Sequence, residues 1–402
     1  MTLEKLKGKK ILVVGLGSEG KATFDYLKTN LPNTVVETTD QKDGPNYLDK
    51  QKEFDLAVRS PGVKRELLTI PSTTATNIFF ANVTSPIIGV TGSKGKSTTA
   101  SLIDHLLKTS GKKSILAGNI GLPMLEVVES ETDFFVVELS SFQLEDINYS
   151  PHLSVFTSIF PEHMDHHGSF ETYFDAKKRI VKFSTSEDYF VFNSRYRELV
   201  SLSRETKAQA VPFEETLPPG VEKIPLIGQH NLENLLGAIT VSHLLKIEDK
   251  FIKSGIETFK PLPHRLEKVG TFRGITFYDD AISTTPQSAI AALDSLADVS
   301  TILLGGEDRG YDFRALISKL VEKKVANIVL FPNSGSKIKS LLPKSQFKIL
   351  ETSSMEEAVR FGYTNSHVGS VCLLSTASPS YSLWKNFAEK GDLFQDSIKK
   401  FA

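Results

Sequence analysis

The sequence predicts an α/β protein of three domains, which occupy residues 1–86, 87–262 and 263–402. Two observations support this prediction. Glycine-rich turns follow short apolar runs at residues 15–20 and 92–95, and a helical pattern follows each turn, as in sheets of parallel strands. A fresh alternation of apolar runs and helical segments begins after residue 263. The length of 402 residues agrees, because domains contain roughly 150 residues.

Composition restricts the class of function. The chain has 47 lysines and arginines against 48 acidic residues, so no net charge attracts nucleic acid or an anionic membrane. A single cysteine, Cys372, excludes an internal disulfide, and no apolar run has the length of a signal peptide or a membrane span. We therefore expect a cytoplasmic protein that acts on small molecules, without nucleic-acid or membrane partners. We also expect a monomer, although composition does not establish the oligomeric state.

The first domain carries a dinucleotide-binding pattern. An apolar run leads into Gly15-Leu16-Gly17-Ser18-Glu19-Gly20, and a predicted strand at residues 34–37 leads to Asp40, where such folds hold a ribose. A further strand at residues 55–58 ends at Ser60-Pro61-Gly62. The pattern indicates a Rossmann-like domain. Taken alone it fits an NAD-dependent oxidoreductase or another pyrophosphate ligand, while Asp40 and residues 60–62 also fit ordinary turns.

The second domain opens on a phosphate loop. Residues 89–99, GVTGSKGKSTT, lie between a predicted strand at 86–90 and a predicted helix at 97–107. The glycines let the backbone approach a ligand, the first helical N–H groups bind anions, Lys96 adds positive charge, and Ser97 supplies a hydroxyl for Mg²⁺. An ordinary capped turn is the alternative. The combination favours a nucleotide polyphosphate and a domain of the P-loop ATPase type.

Later strands of this domain deliver polar residues to the same edge of the sheet. One apolar run ends at Glu138, and another leads to His163 and Asp165. Because carboxyl ends of parallel strands share one edge, we expect Glu138 to hold Mg²⁺ directly or through water. His163, Asp165 or both would contact metal or substrate. His166 and His167 fit loop residues, since the histidine spacing does not match a zinc site.

The remainder of the second domain is less informative. A helical pattern at residues 170–183 contains Lys177 in a charge cluster that fits a solvated helix face, and residues 195–225 are polar and poorly patterned. Residues 228–245 form a predicted helix with Asn231 near its start. That amide could cap the helix or bind an adenine edge, and the residues leave both open.

The third domain begins after a stiff segment, Pro261-Leu262-Pro263-His264-Arg265, which predicts a hinge. The strand pattern that follows predicts a separately cored, Rossmann-like α/β domain. Polar loops follow its strands at residues 279–286, 305–310 and 375–380. Parallel order places these loops on one edge, where a ligand would bind, and Arg309 suits planar recognition of a carboxylate there.

The assembled motifs resemble those of the Mur ligase family along nearly the whole chain and in family order. They are TGSKGKST at 91–98, GNIG at 118–121, ELSSFQL at 138–144, HMD at 163–165, AKKR at 176–179, GQHN at 228–231, PHR at 263–265 and KNF at 385–387. The likeness is greatest to the branch that adds D-glutamate to UDP-N-acetylmuramoyl-L-alanine in peptidoglycan precursor synthesis.

The resemblance implies a role for each set of residues. Catalysis and the binding of two Mg²⁺ ions would fall to Lys96, Ser97, Glu138, His163 and a carbamylated Lys177. The implied ATP-binding residues are Gly92, Ser93, Lys94, Gly95, Lys96, Ser97, Thr98, Asn231, Asn234, Arg265 and Asp280. Those for the UDP-linked substrate are Gly15, Leu16, Gly17, Ser18, Gly20, Asp40, Gln41, Ser60, Pro61, Gly62, Asn119, Ser140 and His163. Those for the amino acid are Thr284, Arg309, Ser380 and Phe387.

The resemblance also implies the reaction. The alanine carboxylate would attack the γ-phosphate of ATP, and the amine of D-glutamate would displace phosphate from the acyl phosphate, with closure at the hinge excluding water.

Two other interpretations compete with this one. A Mur ligase with another acceptor is one, because residues 279–284 and Arg309 depart from the common D-glutamate pattern. An NAD-dependent oxidoreductase is the other, and it leaves the phosphate loop unexplained.

Overall fold

The computed structural model describes residues 1–343 and 345–402. Within these ranges the strands form three sheets that are wholly or mainly parallel and carry helices between their strands, which confirms the predicted α/β class. The described chain divides into two compact units, Met1–Ile224 with Glu233–Phe259, and Pro225–Leu232 with Lys260–Ala402. The predicted boundary at residue 86 lies inside the first unit and stays a prediction.

The N-terminal sheet is parallel, with strand order β2-β1-β3-β4. Its strands are β1 (Ile11–Val14), β2 (Val36–Thr39), β3 (Leu56–Arg59) and β4 (Ser72–Thr74), and its helices are α1 (Ser18–Asn30) and α2 (Ala75–Asn82). Strand β1 is buried along its whole length because it lies between two neighbours. The glycine turn at residues 15–17 therefore leaves the carboxyl end of a central strand.

The second sheet is also parallel, with order β10-β9-β8-β5-β7-β6. Its strands are β5 (Ile87–Thr91), β6 (Ser114–Gly118), β7 (Phe134–Glu138), β8 (Leu153–Phe156), β9 (Tyr189–Phe192) and β10 (Gln209–Pro212). Its helices are α3 (Lys96–Thr109), α4 (Ser141–Leu144), α5 (Met164–His167), α6 (Phe170–Lys182), α7 (Arg197–Glu205), α8 (Gln229–Leu244) and α9 (Asp249–Thr258). Strand β5 pairs with both β7 and β8, so their carboxyl ends meet at one edge.

These two sheets share one hydrophobic core. Buried side chains of β1, β3, α2, β7 and β8 belong to a single cluster, in which the rings of Phe79 and Phe135 lie 5.2 Å apart at an edge-to-face angle. This shared cluster explains why the first unit contains both sheets, since each sheet buries part of its hydrophobic face against side chains of the other.

A buried ionic contact joins the same two sheets. The Arg59 side chain is fully buried, and its Nη2 lies 2.6 Å from Asp146 Oδ2 and 2.9 Å from Glu145 Oε1. Nearby, Asn77 Nδ2 donates to the Asp146 carbonyl at 2.8 Å, and Asn148 N donates to Asn77 Oδ1 at 2.9 Å. The segment after α4 is thereby bonded to β3 and α2.

The third sheet lies in the second unit, with order β11-β12-β16-β13-β14-β15 over the described residues. Its strands are β11 (Glu267–Phe272), β12 (Ile275–Asp279), β13 (Val299–Gly306), β14 (Asn327–Asn333), β15 (Lys348–Glu351) and β16 (Val371–Leu374). Its helices are α10 (Pro286–Ser295), α11 (Arg314–Glu322), α12 (Ser334–Leu341), α13 (Met355–Asn365) and α14 (Phe387–Phe401). Two clusters cover its two faces, as expected for a separately cored sheet.

Some predicted elements were wrong or missing. Strand β2 begins at Val36 rather than residue 34, because Thr34 N donates to Leu31 O in the preceding turn and Val35 is exposed. Residues 195–225 contain α7 and β10, whose polar residues hid the pattern. Strand β11 is antiparallel to β12, with an irregularity between Lys268 and Gly270.

Among the residues that the structure describes, none of the helices is both long and apolar enough to cross a bilayer.

Candidate active site

The phosphate loop connects the buried end of β5 to the start of α3. Gly92 and Gly95 have φ values of +153° and +87°. A Cβ at Gly92 would lie 2.0 Å from Thr157 Oγ1, and one at Gly95 would lie 2.1 Å from Asn234 Oδ1. Both positions therefore require glycine for conformation and for space. The segment that follows β8 fixes the loop, since Ser93 N donates to the Ser158 carbonyl at 2.8 Å.

The two lysines of the loop have different partners. Lys96 Nζ donates to the carbonyls of Gly92 and Ser93, both at 2.9 Å, so that the ammonium lies over the loop backbone. Lys94 Nζ lies 2.7 Å from Glu162 Oε1. Burial opposes ionisation of Glu162, but the charges of Lys94 and then Lys96 outweigh it and leave the pKa of this carboxyl below its ordinary value. The motif analysis missed Glu162, although it directly precedes His163.

Glu138 ends β7 beside the loop, as predicted from the parallel order. Its side chain is buried, and Oε1 accepts a hydrogen bond of 2.8 Å from Asn119 Nδ2. Its Oε2 is buried without a hydrogen-bond partner. An orphaned carboxylate oxygen at this depth is unfavourable and requires a partner that the protein does not supply. A hard cation such as Mg²⁺ fits this donor.

Lys177 points inward rather than to solvent. It is 1 % exposed, and Nζ donates to Gly92 O at 2.9 Å and to Thr91 Oγ1 at 3.2 Å. Burial first, and then the charge of Lys96, lower the pKa of Lys177 well below its ordinary value. The interpretation of this charge cluster as a solvated helix face was therefore wrong for Lys177. The next residue, Lys178, does reach solvent and pairs with Asp175 at 2.6 Å.

His163 lies in the same region, in the left-handed conformation with φ of 55°. Burial, and then the charges of Lys96 and Lys177, lower the pKa of His163 against the opposing effect of Glu162. His163 therefore feels the same cations as the phosphate loop. The structure brings Lys96, Glu138, His163 and Lys177 to one edge of the second sheet.

His166 and His167 end the short helix α5 rather than lying in a loop. His167 is buried with its Nε2 3.0 Å from Ser141 Oγ, and His166 Nε2 lies 3.0 Å from Glu145 Oε2. Potential ligand atoms of Glu145, His166 and His167 lie within 4.8 Å of one another. Because each side chain already has a hydrogen-bonding partner, we assign the cluster to packing beneath Phe142, whose ring lies 4.4 Å from that of His166.

A cavity of about 320 Å³ lies at the carboxyl edge of the N-terminal sheet. It brings together the N-terminal residues predicted for the UDP-linked substrate, and Glu19, Tyr47 and Val63 join them. From the predicted set it is lined by Gly15, Leu16, Gly17, Ser18, Gly20, Asp40, Gln41, Ser60, Pro61 and Gly62. A larger cavity of about 960 Å³ borders α6, and among the described residues its lining includes none of the predicted site residues.

Asp40 organises the glycine turn at this cavity. Its Oδ2 accepts from Leu16 N at 2.7 Å and its Oδ1 from Lys42 N at 3.2 Å. These backbone hydrogen bonds hold the pKa of Asp40 below its ordinary value. Gly20 closes the turn, since a Cβ there would lie 1.9 Å from the Gly15 carbonyl oxygen. Asp40 is thus an ionised residue that fixes the turn, whatever else it contacts.

The remaining residues predicted to bind the UDP-linked substrate or ATP lie at strand ends and helix starts. Asn119 follows β6, and Ser140 caps α4 by accepting from Gln143 N at 3.3 Å. Asn231 and Asn234 are both buried in the first turns of α8, with Asn231 Nδ2 donating to Ile227 O at 2.8 Å. Asn234 belongs to the first unit, whereas Asn231 belongs to the second.

Arg265 and Asp280 belong to the second unit, where Asp280 follows β12. Asp280 is buried, with Oδ2 accepting from Ser375 Oγ at 2.8 Å and Oδ1 from Leu266 N at 3.2 Å. Burial raises the pKa of Asp280 to about 7, although both hydrogen bonds oppose the shift.

The three polar loops of the third sheet do meet at one edge. Thr376 Oγ1 donates to the Ser283 carbonyl at 2.9 Å, and Gly305 N donates to the Thr376 carbonyl at 2.9 Å. Of the four residues predicted to bind the amino acid, Thr284, Arg309 and Ser380 lie on these loops, whereas Phe387 begins α14. Arg309 is half-exposed, and its Nη2 lies 3.1 Å from Glu307 Oε2. A carboxylate ligand would therefore compete with Glu307.

Comparison with known proteins gives family matches in both units. Residues 90–218 match the family described as "Mur ligase middle domain", and residues 264–377 match "Mur ligase, glutamate ligase domain". Two curated relatives carry the name UDP-N-acetylmuramoylalanine--D-glutamate ligase. The one from Thermoanaerobacter pseudethanolicus is 32% identical over 98% of this chain and 99% of its own. The one from Leuconostoc citreum is 33% identical over 100% of this chain and 99% of its own.

Solved structures give the same fold at lower identity. The UDP-N-acetylmuramate-alanine ligase MurC of Thermotoga maritima has a TM-score of 0.64 and 17% identity over 98% of this chain and 100% of that one. The MurF ligase of Thermotoga maritima in complex with ADP has a TM-score of 0.65 and 15% identity, covering 100% of this chain and 97% of that one.

Proposed function

This chain belongs to the Mur ligase family, and from that premise we propose that it joins D-glutamate to UDP-N-acetylmuramoyl-L-alanine at the expense of ATP. The choice of D-glutamate follows the full-length relatives of that name. One structural observation carries the reaction type: the phosphate loop lies beside Glu138, whose buried Oε2 has no protein partner. A loop for polyphosphate and a carboxylate suited to Mg²⁺ on one sheet edge support phosphoryl transfer.

Two sets of residues would hold Mg²⁺. Ser97 and Glu138 supply hard oxygen donors for one ion, and His163 with a carbamylated Lys177 would hold a second. Carbamylation requires a neutral amine, which adds to CO₂ and releases one proton. The burial of Lys177 and the cation beside it favour that neutral form. When bound, Mg²⁺ stabilises negative charge on the phosphoryl oxygens of ATP.

The proposed reaction has two chemical steps. The carboxylate of the alanine attacks the γ-phosphorus of ATP, giving an acyl phosphate and ADP. Lys96, already over the loop backbone, would shift its hydrogen bonds to the phosphoryl oxygens and stabilise their charge. The D-glutamate amine attacks the acyl carbon, and the tetrahedral intermediate releases phosphate and a proton to leave the amide.

The ligand assignments follow the predicted sets of residues. We place the UDP moiety in the cavity of about 320 Å³, because its glycine turn and the N-terminus of α1 suit a diphosphate. Asn119, Ser140 and His163 would contact the sugar and peptide portion. Asn231, Asn234, Arg265 and Asp280 would bind adenosine. Thr284, Arg309, Ser380 and Phe387 would receive D-glutamate, whose carboxylate would compete with Glu307 for Arg309.

The decisive experiment is an acceptor panel. Phosphate release is measured with UDP-N-acetylmuramoyl-L-alanine, ATP and Mg²⁺ in the presence of D-glutamate, L-glutamate, L-lysine, meso-diaminopimelate or glycine. We expect turnover with D-glutamate to exceed that with every other amino acid. Equal or greater turnover with another member of the panel would reassign the acceptor, and no ATP-dependent turnover with any of them would refute the ligase proposal.

A further inference from the structure

Glu19 has an unusual environment for a residue in a nucleotide turn. It is the second residue of α1, lies within the glycine pattern and lines the cavity of about 320 Å³. Its Oε2 accepts a hydrogen bond of 2.9 Å from Gln143 Nε2, whereas its Oε1 is buried without a partner. A carboxylate with an orphaned oxygen is costly, but a carboxylic acid can place its proton on that atom.

Glu19 also connects the two sheets of the first unit. Gln143, which donates to Glu19, accepts through its own Oε1 from Ser140 N at 2.9 Å and from Ser140 Oγ at 3.0 Å. The chain of hydrogen bonds therefore runs from the glycine turn, through one amide, to the loop after β7. Glu19 orients Gln143, and Gln143 orients Ser140, which we assign to the substrate.

The charges around Glu19 do not compensate its burial. Arg59 favours the ionised form, but its guanidinium is already bonded to two other carboxylates. Asp40 lines the same cavity as a second acid, and the elements packed on α1 carry the exposed acids Glu37 and Glu126. Burial raises the pKa of Glu19 to about 7, with the Gln143 hydrogen bond and Arg59 opposing the shift.

We propose that Glu19 is a positioning residue that holds the Ser140 loop against the glycine turn as a neutral acid, and that the UDP-linked substrate binds only to this form. The inference rests on the proposed function, since a diphosphate in this cavity would face an ionised Glu19 as a like charge. Substrate binding then takes up a proton. Affinity is highest when Glu19 is protonated and falls as the pH rises above about 7.

The test is calorimetric binding of UDP-N-acetylmuramoyl-L-alanine to the full chain between about pH 6 and about pH 8.5, in buffers of different ionisation enthalpy. The substrate suits this range, because its diphosphate diester and alanine carboxylate stay ionised and the N3–H of its uracil stays mainly protonated. For the unmodified protein we expect Kd to rise about tenfold from about pH 6 to about pH 8, with nearly one proton taken up at the upper end.

Glu19→Gln mimics the neutral acid and separates positioning from titration. It should bind as tightly as the unmodified protein does at about pH 6, with Kd independent of pH and no proton uptake. Glu53→Gln removes the same charge from an exposed position in the short helical segment before β3 and should keep the pH dependence. In steady-state assays the KM for the UDP-linked substrate should follow Kd, while kcat at saturation stays constant.

The possible outcomes are distinct. A pH-independent Kd in the unmodified protein, or an unchanged pH dependence in Glu19→Gln, would overturn the role of Glu19 while leaving the ligase intact. Loss of binding at every pH in Glu19→Gln, despite a native thermal transition, would also overturn it, because the amide keeps the neutral shape. Absence of substrate binding by the unmodified protein at any pH would overturn the proposed function and this inference together.

Discussion

Replacing Lys177 by alanine should nearly abolish ligation without unfolding the protein. The side chain is buried among the backbone of the phosphate loop, with Nζ 2.9 Å from Gly92 O and 3.2 Å from Thr91 Oγ1. If its amine is carbamylated, the substitution removes an anionic oxygen ligand from a site rich in cations. If it is a plain amine, the substitution only removes two hydrogen bonds of about 1 kcal/mol each.

The magnitude follows from these two states. An ordinary lysine with a pKa of about 10.4 is neutral in roughly one molecule in 2,500 at pH 7, so carbamylation on the surface is rare. Burial and Lys96 lower the pKa of Lys177 well below that value and greatly increase the neutral fraction. Loss of one preorganised charged group beside the transferred phosphate should lower kcat by about 10²–10³-fold.

The assay is phosphate release under saturating substrates, with and without added acetate or propionate. Lys177→Ala leaves a space that a short carboxylate can enter, so we expect partial recovery of kcat. Lys177→Arg stays charged, fills the space and should show no recovery. Lys178→Ala removes a neighbouring, partly exposed lysine and should leave kcat unchanged. Full activity of Lys177→Ala without added carboxylate, or of Lys177→Arg, would refute the carbamate.

Further predictions concern stability and ligand affinity. Arg59→Met should lower the free energy of unfolding, measured in urea, by about 2–4 kcal/mol, because two partly exposed carboxylates lose a fully buried partner. Arg65→Met, at an exposed side chain, should change the free energy of unfolding by less than about 1 kcal/mol. Equal effects would contradict the buried contact. Gly95→Ala should weaken ATP binding measured by calorimetry, since the new Cβ would lie 2.1 Å from Asn234 Oδ1. Gly111→Ala introduces a Cβ at a similar φ of +84° but into open space, so it should lower stability without lowering the affinity for ATP. Asp280 has a folded pKa of about 7, above the unfolded value of about 3.9, so its ionisation destabilises the fold as the pH rises from about 4 to about 7. The stability of Asp280→Asn relative to the unmodified protein should therefore increase over that range, and a constant difference would contradict the assignment.

The sequence predicted the parts of the site that depend on local spacing. The glycines and Lys96 of the phosphate loop lie four residues apart or less, and the parallel-strand rule placed Glu138 on their edge. The same rule brought the three polar loops of the third sheet together. In each case the polar residues directly follow the carboxyl end of a parallel strand, so the strand pattern alone places them.

The parts that were missed depend on contacts between distant segments. Lys177 has the sequence context of a surface lysine, and only the packing of α6 against the phosphate loop buries it; the family resemblance singled it out, whereas its own residue pattern did not. The proton-linked role of Glu19 is also invisible in sequence, because its partner Gln143 comes 124 positions later. Strand β10 forms by pairing with β9 rather than through its own apolar pattern.

The bond network between β3, α2 and the segment after α4 has a consequence for exchanging parts within the family. Arg59 and Asn77 bond to Glu145, Asp146 and Asn148, which lie well outside residues 1–86. If residues 1–86 of this chain were moved alone into a relative without acids at the positions of Glu145 and Asp146, Arg59 would be buried without its counter-ions. A graft that carries residues 145–148 together with residues 1–86 keeps both sides of these contacts. The part of the chain that must be exchanged as one piece with the N-terminal sheet is therefore discontinuous in sequence.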